Sequence, residues 1–158
     1  MSKINHCRTH ERGICTRRVS RYKRQVQINR YDTMNLKVID TEFSVCKVED
    51  YTQIDLNEDY VFTGHTDEEH SLVCPTTLVP DNTTEHNDGW KAFRIEGMLD
   101  FSLIGILSKI SGLLADNAIG IFAISTFNTD YILTKAENFE RSIRLLQSAG
   151  YTIIYGKT

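Results

Sequence analysis

Several patterns are missing from this chain, and each absence removes a class of protein. No apolar run approaches the roughly 20 residues that cross a bilayer, because the greasiest stretch, SLIGILSKISGLLADNAIGIFAI, is broken by Lys109, Asp116 and Asn117. No secretory h-region is present, so no membrane contact is expected. Cys7, Cys15, Cys46 and Cys74 are too few for a disulfide framework in 158 residues, which makes the cytoplasm the expected compartment. No glycine-rich G-x-G-x-x-G follows a strand and no phosphate loop occurs, which disfavours a nucleotide-binding fold and any kinase activity. Aromatics do not alternate with Lys or Arg along any strand-like stretch, as an RNA-binding sheet requires.

Catalytic sets are equally thin. Ser125, Thr126 and Thr129 have no His or Lys nearby in sequence to act as a base, so nucleophilic catalysis lacks a partner. Cys46 and Cys74 sit inside apolar alternation, FSVCKV and SLVCP, where a buried reduced thiol is expected rather than a nucleophile. His65, Asp67, Glu68, Glu69 and His70 form GHTDEEH, but they fall on a predicted hairpin turn and read as solvated turn residues rather than as metal ligands. Trp90, beside Gly89 at a strand start, reads as core packing. The expectation is a protein without catalytic residues, metal or cofactor.

Charge divides the chain. Residues 1–33 hold nine Lys or Arg against Glu11 and Asp32, about +7, so the remainder of a chain with net charge −3 is near −10. An acidic ordered region repels nucleic acid. The basic stretch lacks helical or strand periodicity and is expected to be disordered. Three other readings compete there: a nucleic-acid arm, an Arg-rich transit peptide, and a metal group from His6, Cys7, His10 and Cys15, which has no paired C-x-x-C and no surrounding domain. An ordered pattern begins directly after Met34, in MNLKVIDTEFSVCKV, which makes Met34 the expected start.

What is present is clearest in the second half. WKAFRIEG reads as a strand ending at Gly97, and MLDFS as a turn. Leu103, Ile106, Leu107, Ile110, Leu113 and Leu114 recur at three- and four-residue spacing, the mark of one apolar helical face. Asp100 is placed as the N-cap and Asn117 as the left-handed stop. GIFAISTF and TDYILTK alternate on either side of Asn128 and Thr129 and predict a hairpin. Thr134 and Glu137 have capping-box spacing, opening a helix with Phe139, Ile143, Leu146 and Ala149 inward and Gly150 as terminator. YTII is a last strand.

The order over residues 90–155 is β-α-β-β-α-β, so the fold class is α+β with a ferredoxin-like module of two helices on one face of an antiparallel sheet. Residues 34–89 look like a smaller, degenerate copy. YVFTGHTDEEHSLVCPTTLV lies against IFAISTFNTDYILTKAENF with Thr66-Asp67 near Thr129-Asp130, while EDYTQIDLNEDY and TTLVPDNTTEHNDG predict one turn of helix or irregular chain. The domain reading is therefore a basic leader at 1–33, a degenerate module at 34–89 and a full module at 90–158. Hydrophobic residues at 41% suit two small modules sharing a core.

These segments carry a resemblance. WKAFRIEGMLDFSLIGIL followed by IFAISTFNTDYIL resembles the short bacterial tandem ACT-domain proteins, related to the ACT domains of aspartate kinases and of CASTOR-type arginine sensors. It is strong over 90–110 and 121–135 and looser before residue 60. The family implies the same βαββαβ order, a non-enzymatic regulatory role in binding small molecules, usually amino acids, and association as a homodimer. It places the ligand where two modules meet, held by the loop between the first strand and first helix, here Gly97, Met98, Leu99, Asp100, Phe101 and Ser102. A helix N-terminus suits a carboxylate and Gly97 permits close backbone approach. Asp130 and Asp100 are then candidates for an α-ammonium, with Ser125, Thr126 and Thr129 able to donate or accept. Plainer roles stay open: Asp100 as a helix cap, Asp130 as turn chemistry, and the protein as a ligand-free interaction module of the same fold. In ISTFNTDYIL the alternating apolar residues are expected to face the helices.

Overall fold

Alternation in MNLKVIDTEFSVCKV becomes one strand, β1 (Asn35–Val48), and that strand organises the molecule. The computed structural model describes residues 34–96 and 105–156. After β1 come β2 (Phe62–His65), β3 (His70–Pro75), a 3-10 turn at Thr76–Leu78, β4 (Thr83–Ile95), α1 (Ile106–Asp116), β5 (Ile121–Ser125), β6 (Asp130–Lys135), α2 (Ala136–Ser148) and β7 (Thr152–Tyr155). From β4 onward the order is βαββαβ, the ferredoxin-like α+β arrangement expected. No helix among the described residues is long and apolar enough to cross a membrane.

The strands form one seven-stranded sheet in the order β2-β3-β1-β4-β6-β5, with β7 along β1. In a ferredoxin-like unit the last strand lies beside the first, which here would put β7 against β4. Instead the first half of β1 takes that place. Leu36 and Val38 pair antiparallel with Ile95 and Phe93 of β4, while Asn35 to Val38 pair in parallel with Thr152 to Tyr155 of β7. The second half of β1 pairs with β3. One strand thus joins the β2–β3 hairpin to the βαββαβ unit, and β4 runs unbroken through residues 89 and 90.

Side-chain alternation on these strands sorts the interior into three clusters. Leu36 and Val38 of β1, Phe93 and Ile95 of β4 and Ile132 of β6 point to the helices and meet Ile106, Ile110 and Leu114 of α1 and Phe139, Ile143 and Leu146 of α2. Further along the same face, Cys46, Val48, Leu72 and Cys74 pack under Tyr51, Ile54, Val61 and Val79. The opposite face carries Ile39, Phe43, Val73, Ala92 and Leu133 with Tyr60, Phe62, Trp90, Phe122, Ile124 and Tyr131. This second face is concave. Four strand spacings separate β2 from β6, about 19 Å in a flat sheet, yet the Phe62 and Tyr131 ring centroids are 4.9 Å apart. The sheet therefore curls until its β2 edge meets β6.

Several local expectations are corrected. β4 begins at Thr83 rather than Trp90, so most of TTLVPDNTTEHNDG is strand rather than irregular chain. Its first seven residues carry no apolar alternation, because backbone pairing with β1, Val45 with Asn87 to Val48 with Thr83, supplies what side chains do not. The Ser44 hydroxyl, wholly buried, donates to Asp88 Oδ1 at 2.7 Å, and His86 Nδ1 lies 2.9 Å from Asp88 Oδ2. These two hydrogen bonds, His86 foremost, hold the Asp88 carboxyl below its ordinary range. As described, α1 begins after Gly105, φ 83°, and Asp100 and Leu103 lie outside the described residues.

Both helices end in a Schellman motif. At α1, Ala118 N–H donates to Ala115 O and Ile119 N–H to Leu114 O, and Ile119 and Leu114 join the same core. The left-handed residue is Ala118, φ 55°, rather than Asn117, whose Nδ2 instead caps Leu113 O at 2.9 Å. At α2, Gly150 fills that position as expected, φ 98°. A left-handed alanine costs about 1 to 2 kcal/mol, partly offset by the entropy glycine loses on folding. Ala118→Gly is therefore expected to stabilise by roughly 0.5 to 1 kcal/mol, read as a higher urea midpoint at constant slope. An unchanged or lower midpoint would reject the strain.

At the start of α2 the capping box does not form. Thr134 belongs to β6 and is wholly buried, its partner strand residues being Lys91 and Ile121. The N-cap is Lys135, with no side-chain capping bond. The strand continues because Ile132 and Thr134 share the helix-covered face, so pairing outweighs the local cap. Ala149 is exposed at the C-cap, and Ser142 holds the inward position, its hydroxyl donating to Asn138 O at 2.9 Å.

Candidate functional site

Antiparallel pairing puts the C-terminal ends of β4 and β5 and the start of β6 at one end of the sheet. The β5–β6 turn is built by threonines. Thr126 N–H and Oγ1 both reach Thr129 O, at 2.9 Å and 2.7 Å. Thr129, nearly buried at 7% exposure, donates from Oγ1 to Ile95 O at 2.6 Å. That bond ties the turn to the end of β4, two residues before Gly97. The segment Gly97, Met98, Leu99, Asp100, Phe101 and Ser102 lies outside the described residues.

Ser125 and Asp130 are directly paired across the hairpin. Asp130 alternates with Ile132, so both residues of the pair sit on the helix-covered face at its end. Ser125 is exposed and Asp130 half-buried. The structure thus brings Ser125, Thr126, Thr129 and Asp130 together, but it gives the two threonine hydroxyls internal partners. Ser125 and Asp130 remain the side chains presented at the surface of this end. The apolar residues of ISTFNTDYIL divide rather than all facing the helices. Ile124, Tyr131 and Leu133 point into the concave cluster and Ile132 to the helices, because the sheet is buried on both faces.

The same turn recurs between β2 and β3. Thr66 N–H donates to Glu69 O at 3.0 Å, and Thr66 Oγ1 accepts from Glu68 and Glu69 N–H. Thr66 is therefore the counterpart of Thr126 and Glu69 of Thr129, an offset of 60 residues that also places SLVC on YILT. The sequence register that laid Thr66-Asp67 near Thr129-Asp130 is three residues out. Two threonines at different turn positions look alike in sequence, and only hydrogen bonding separates them.

Elsewhere the chemistry is structural. His65 and His70 are paired across the β2–β3 hairpin with ring centroids 4.4 Å apart, and no group of three potential ligands able to hold a metal forms among the described residues. The group around His6 and Cys7 lies outside them. Cys46 and Cys74 are free and buried. Burial pushes the Cys74 thiol up to about 12 and also raises that of Cys46, which keeps both protonated and unreactive. Trp90 is half-buried, donates to Asn87 Oδ1 at 3.0 Å and has Lys135 Nζ 4.4 Å from its ring centroid. Sequence reading passed over Arg94, which alternates with Trp90 and Ala92 and so enters the concave face.

An ACT domain family model matches residues 85–148. A crystal structure of a protein from Agobacterium tumefaciens is 26% identical, with a TM-score of 0.71 over 80% of this chain and 96% of that one. The ligand-free regulatory subunit of aspartate kinase from Thermus thermophilus is 10% identical, with a TM-score of 0.51 over 72% and 95%. The aspartate kinase of Clostridium acetobutylicum is 14% identical, with a TM-score of 0.52 over 74% of this chain and 34% of that one. The last two show likeness of fold alone. None of the curated proteins matches. Residues 85–148 thus match an ACT domain, and the sheet order and the two Schellman-capped helices give the chain a fold like that of the aspartate kinase structures.

Proposed function

We propose that this chain is a non-enzymatic regulatory protein that binds an amino acid or similar small molecule, acting as a cytoplasmic homodimer. The observation that carries the reading is the Thr129–Ile95 hydrogen bond of 2.6 Å. It holds the Ser125–Asp130 pair at the end of β4 from which residues 97–102 continue. An acidic side chain for an ammonium then lies at the sheet end where the segment leading to α1 departs. The ACT domain match over residues 85–148 supports a regulatory role.

The test is a thermal-shift panel of the free amino acids against the full chain. A ligand at 100 times its dissociation constant stabilises by about 2.7 kcal/mol, a shift of several degrees. Asp130→Asn keeps shape and removes charge. With the unfolding curve of the parent retained, it is expected to weaken the best amino acid by about 2 kcal/mol, the loss when one partner of a desolvated charge pair is truncated. Equal calorimetric affinities would remove Asp130 from the site. A melting point unmoved by the whole millimolar panel would favour a ligand-free interaction module.

A further inference from the structure

On the concave face, away from the Ser125–Asp130 pair, a groove of about 400 Å³ opens between the 56–62 segment and the strands β4 and β6. From the strands come Arg94 and Tyr131 and from the segment Tyr60, Phe62, Glu58 and Asp59. The volume falls in the range of small-molecule sites.

Its cation is held in place. Arg94 lies directly across the β4–β6 ladder from Tyr131, and Tyr131 is itself fixed between Phe62, 4.9 Å away by ring centroid, and Tyr60, 6.4 Å away. Glu96 stands 3.8 Å from Arg94 Nη2, long for a charge-assisted hydrogen bond. Among the described residues the guanidinium pairs with Glu96 rather than with Glu58 or Asp59. Arginine offers a planar fork suited to a carboxylate.

The other side is also preformed. Asp55 Oδ1 accepts from Asn57 N–H and Nδ2 at 2.9 Å and 2.7 Å, a local turn that fixes the chain just before Glu58 and Asp59. Tyr60 then adopts φ of 63°, a left-handed conformation uncommon for a bulky residue, and its ring packs edge-on to Phe43 at 6.2 Å. Strained backbone of this kind persists where surrounding packing over-determines it. The result is a guanidinium on the sheet and two carboxylates on a fixed segment, with aromatic rings between.

We propose that this groove is a second small-molecule site that takes a zwitterion, a free α-amino acid, with its carboxylate on Arg94 and its ammonium toward Glu58 and Asp59. The assignment rests on the reading that the chain binds amino acids, and places a site for them on the face opposite the Ser125–Asp130 pair. The 56–62 segment and the strands β4 and β6 form it together.

Calorimetric titration of the full-length protein with each free proteinogenic L-amino acid, and with the decarboxylated amine and deaminated acid of any that binds, tests the groove. Arg94→Gln is expected to weaken the amino acid and its deaminated acid by roughly 10- to 100-fold, the range for losing hydrogen bonds to a charged group. It is expected to leave the decarboxylated amine unchanged. Arg94→Lys keeps charge without the fork and is expected to lie between. Glu58→Gln combined with Asp59→Asn, on an exposed segment, is expected to weaken the amino acid and spare the deaminated acid. Amino-acid binding that survives Arg94→Gln and the double variant at parent strength would overturn the groove and leave the proposed function standing. An amino-acid panel that gives no heat with the parent would overturn both.

Discussion

A chain that begins at residue 90 is expected not to fold. That fragment retains every element of the βαββαβ unit except the first seven residues of β4, yet it lacks β1. In the sheet β7 pairs with β1, so without β1 the last strand loses its ladder. Leu36, at 0% exposure, and Val38 leave the helix-facing core, uncovering Phe93 and Ile95. A domain with total stability of about 5 to 15 kcal/mol does not survive the loss of a central strand and two core residues together. Residues 90–158 should give a random-coil circular dichroism spectrum and a collapsed amide proton dispersion. Leu36→Ala in the full chain, a milder version, is expected to cost roughly 2 to 5 kcal/mol. A cooperative melt of the fragment alone would show that β7 can take the position beside β4, and would falsify the interlocked arrangement.

The second large effect is expected at Ile143. It lies mid-stripe on α2 with 2% exposure, between Phe139 and Leu146 in the same cluster. Ile143→Ala leaves a cavity where the sheet and α1 cannot both move in, at a cost of roughly 2 to 5 kcal/mol. Leu107 shares the apolar stripe of α1 but packs at the margin, half-buried, while Ile110 and Leu114 take the wholly buried positions. Leu107→Ala is therefore expected to cost less than Ile143→Ala, with the difference visible in urea midpoints at equal slope. Equal costs would mean that the margin around Leu107 is closed by something beyond the described residues.

The two helices show how far periodicity reaches. Phe139, Ile143 and Leu146 on α2, and Ile110 and Leu114 on α1, were identified by three- and four-residue spacing because a helix covering a sheet must bury one stripe. Gly150 was legible as a terminator because only a left-handed residue closes a Schellman motif cheaply. Local rules failed where pairing competed with them. Thr134 and Glu137 satisfy a capping box in sequence, but Thr134 is still within β6, and a strand flanked on both sides holds its residue more firmly than one capping bond does. Ala118 took the position expected of Asn117 because Asn117 caps with its side chain.

For the candidate sites the boundary is similar. Asp130 and Ser125 were recognisable as polar residues at the end of alternating strands, whereas the partners of Thr126 and Thr129 were not, since a hydroxyl's hydrogen bonds depend on what folds beside it. Arg94 was hidden for another reason. In KAFRIEG it reads as an ordinary polar residue of a half-exposed strand, and only the curl that brings Phe62 to Tyr131 turns that position into the floor of a groove.

What the sequence determined by itself is therefore the identity and order of the elements from Trp90 onward, the apolar faces of the helices, the hairpin between β5 and β6 and the α+β class. These rest on contacts within a few residues or on the demand that one face be buried. The tertiary structure alone decided that β1 enters between β4 and β7, that Thr83 to Gly89 are strand, that the two turns repeat at an offset of 60, and that the sheet curls. The strand placements depend on backbone hydrogen bonds between segments far apart in the chain, and backbone groups are the same in every residue, so no side-chain pattern announces which strand they will choose.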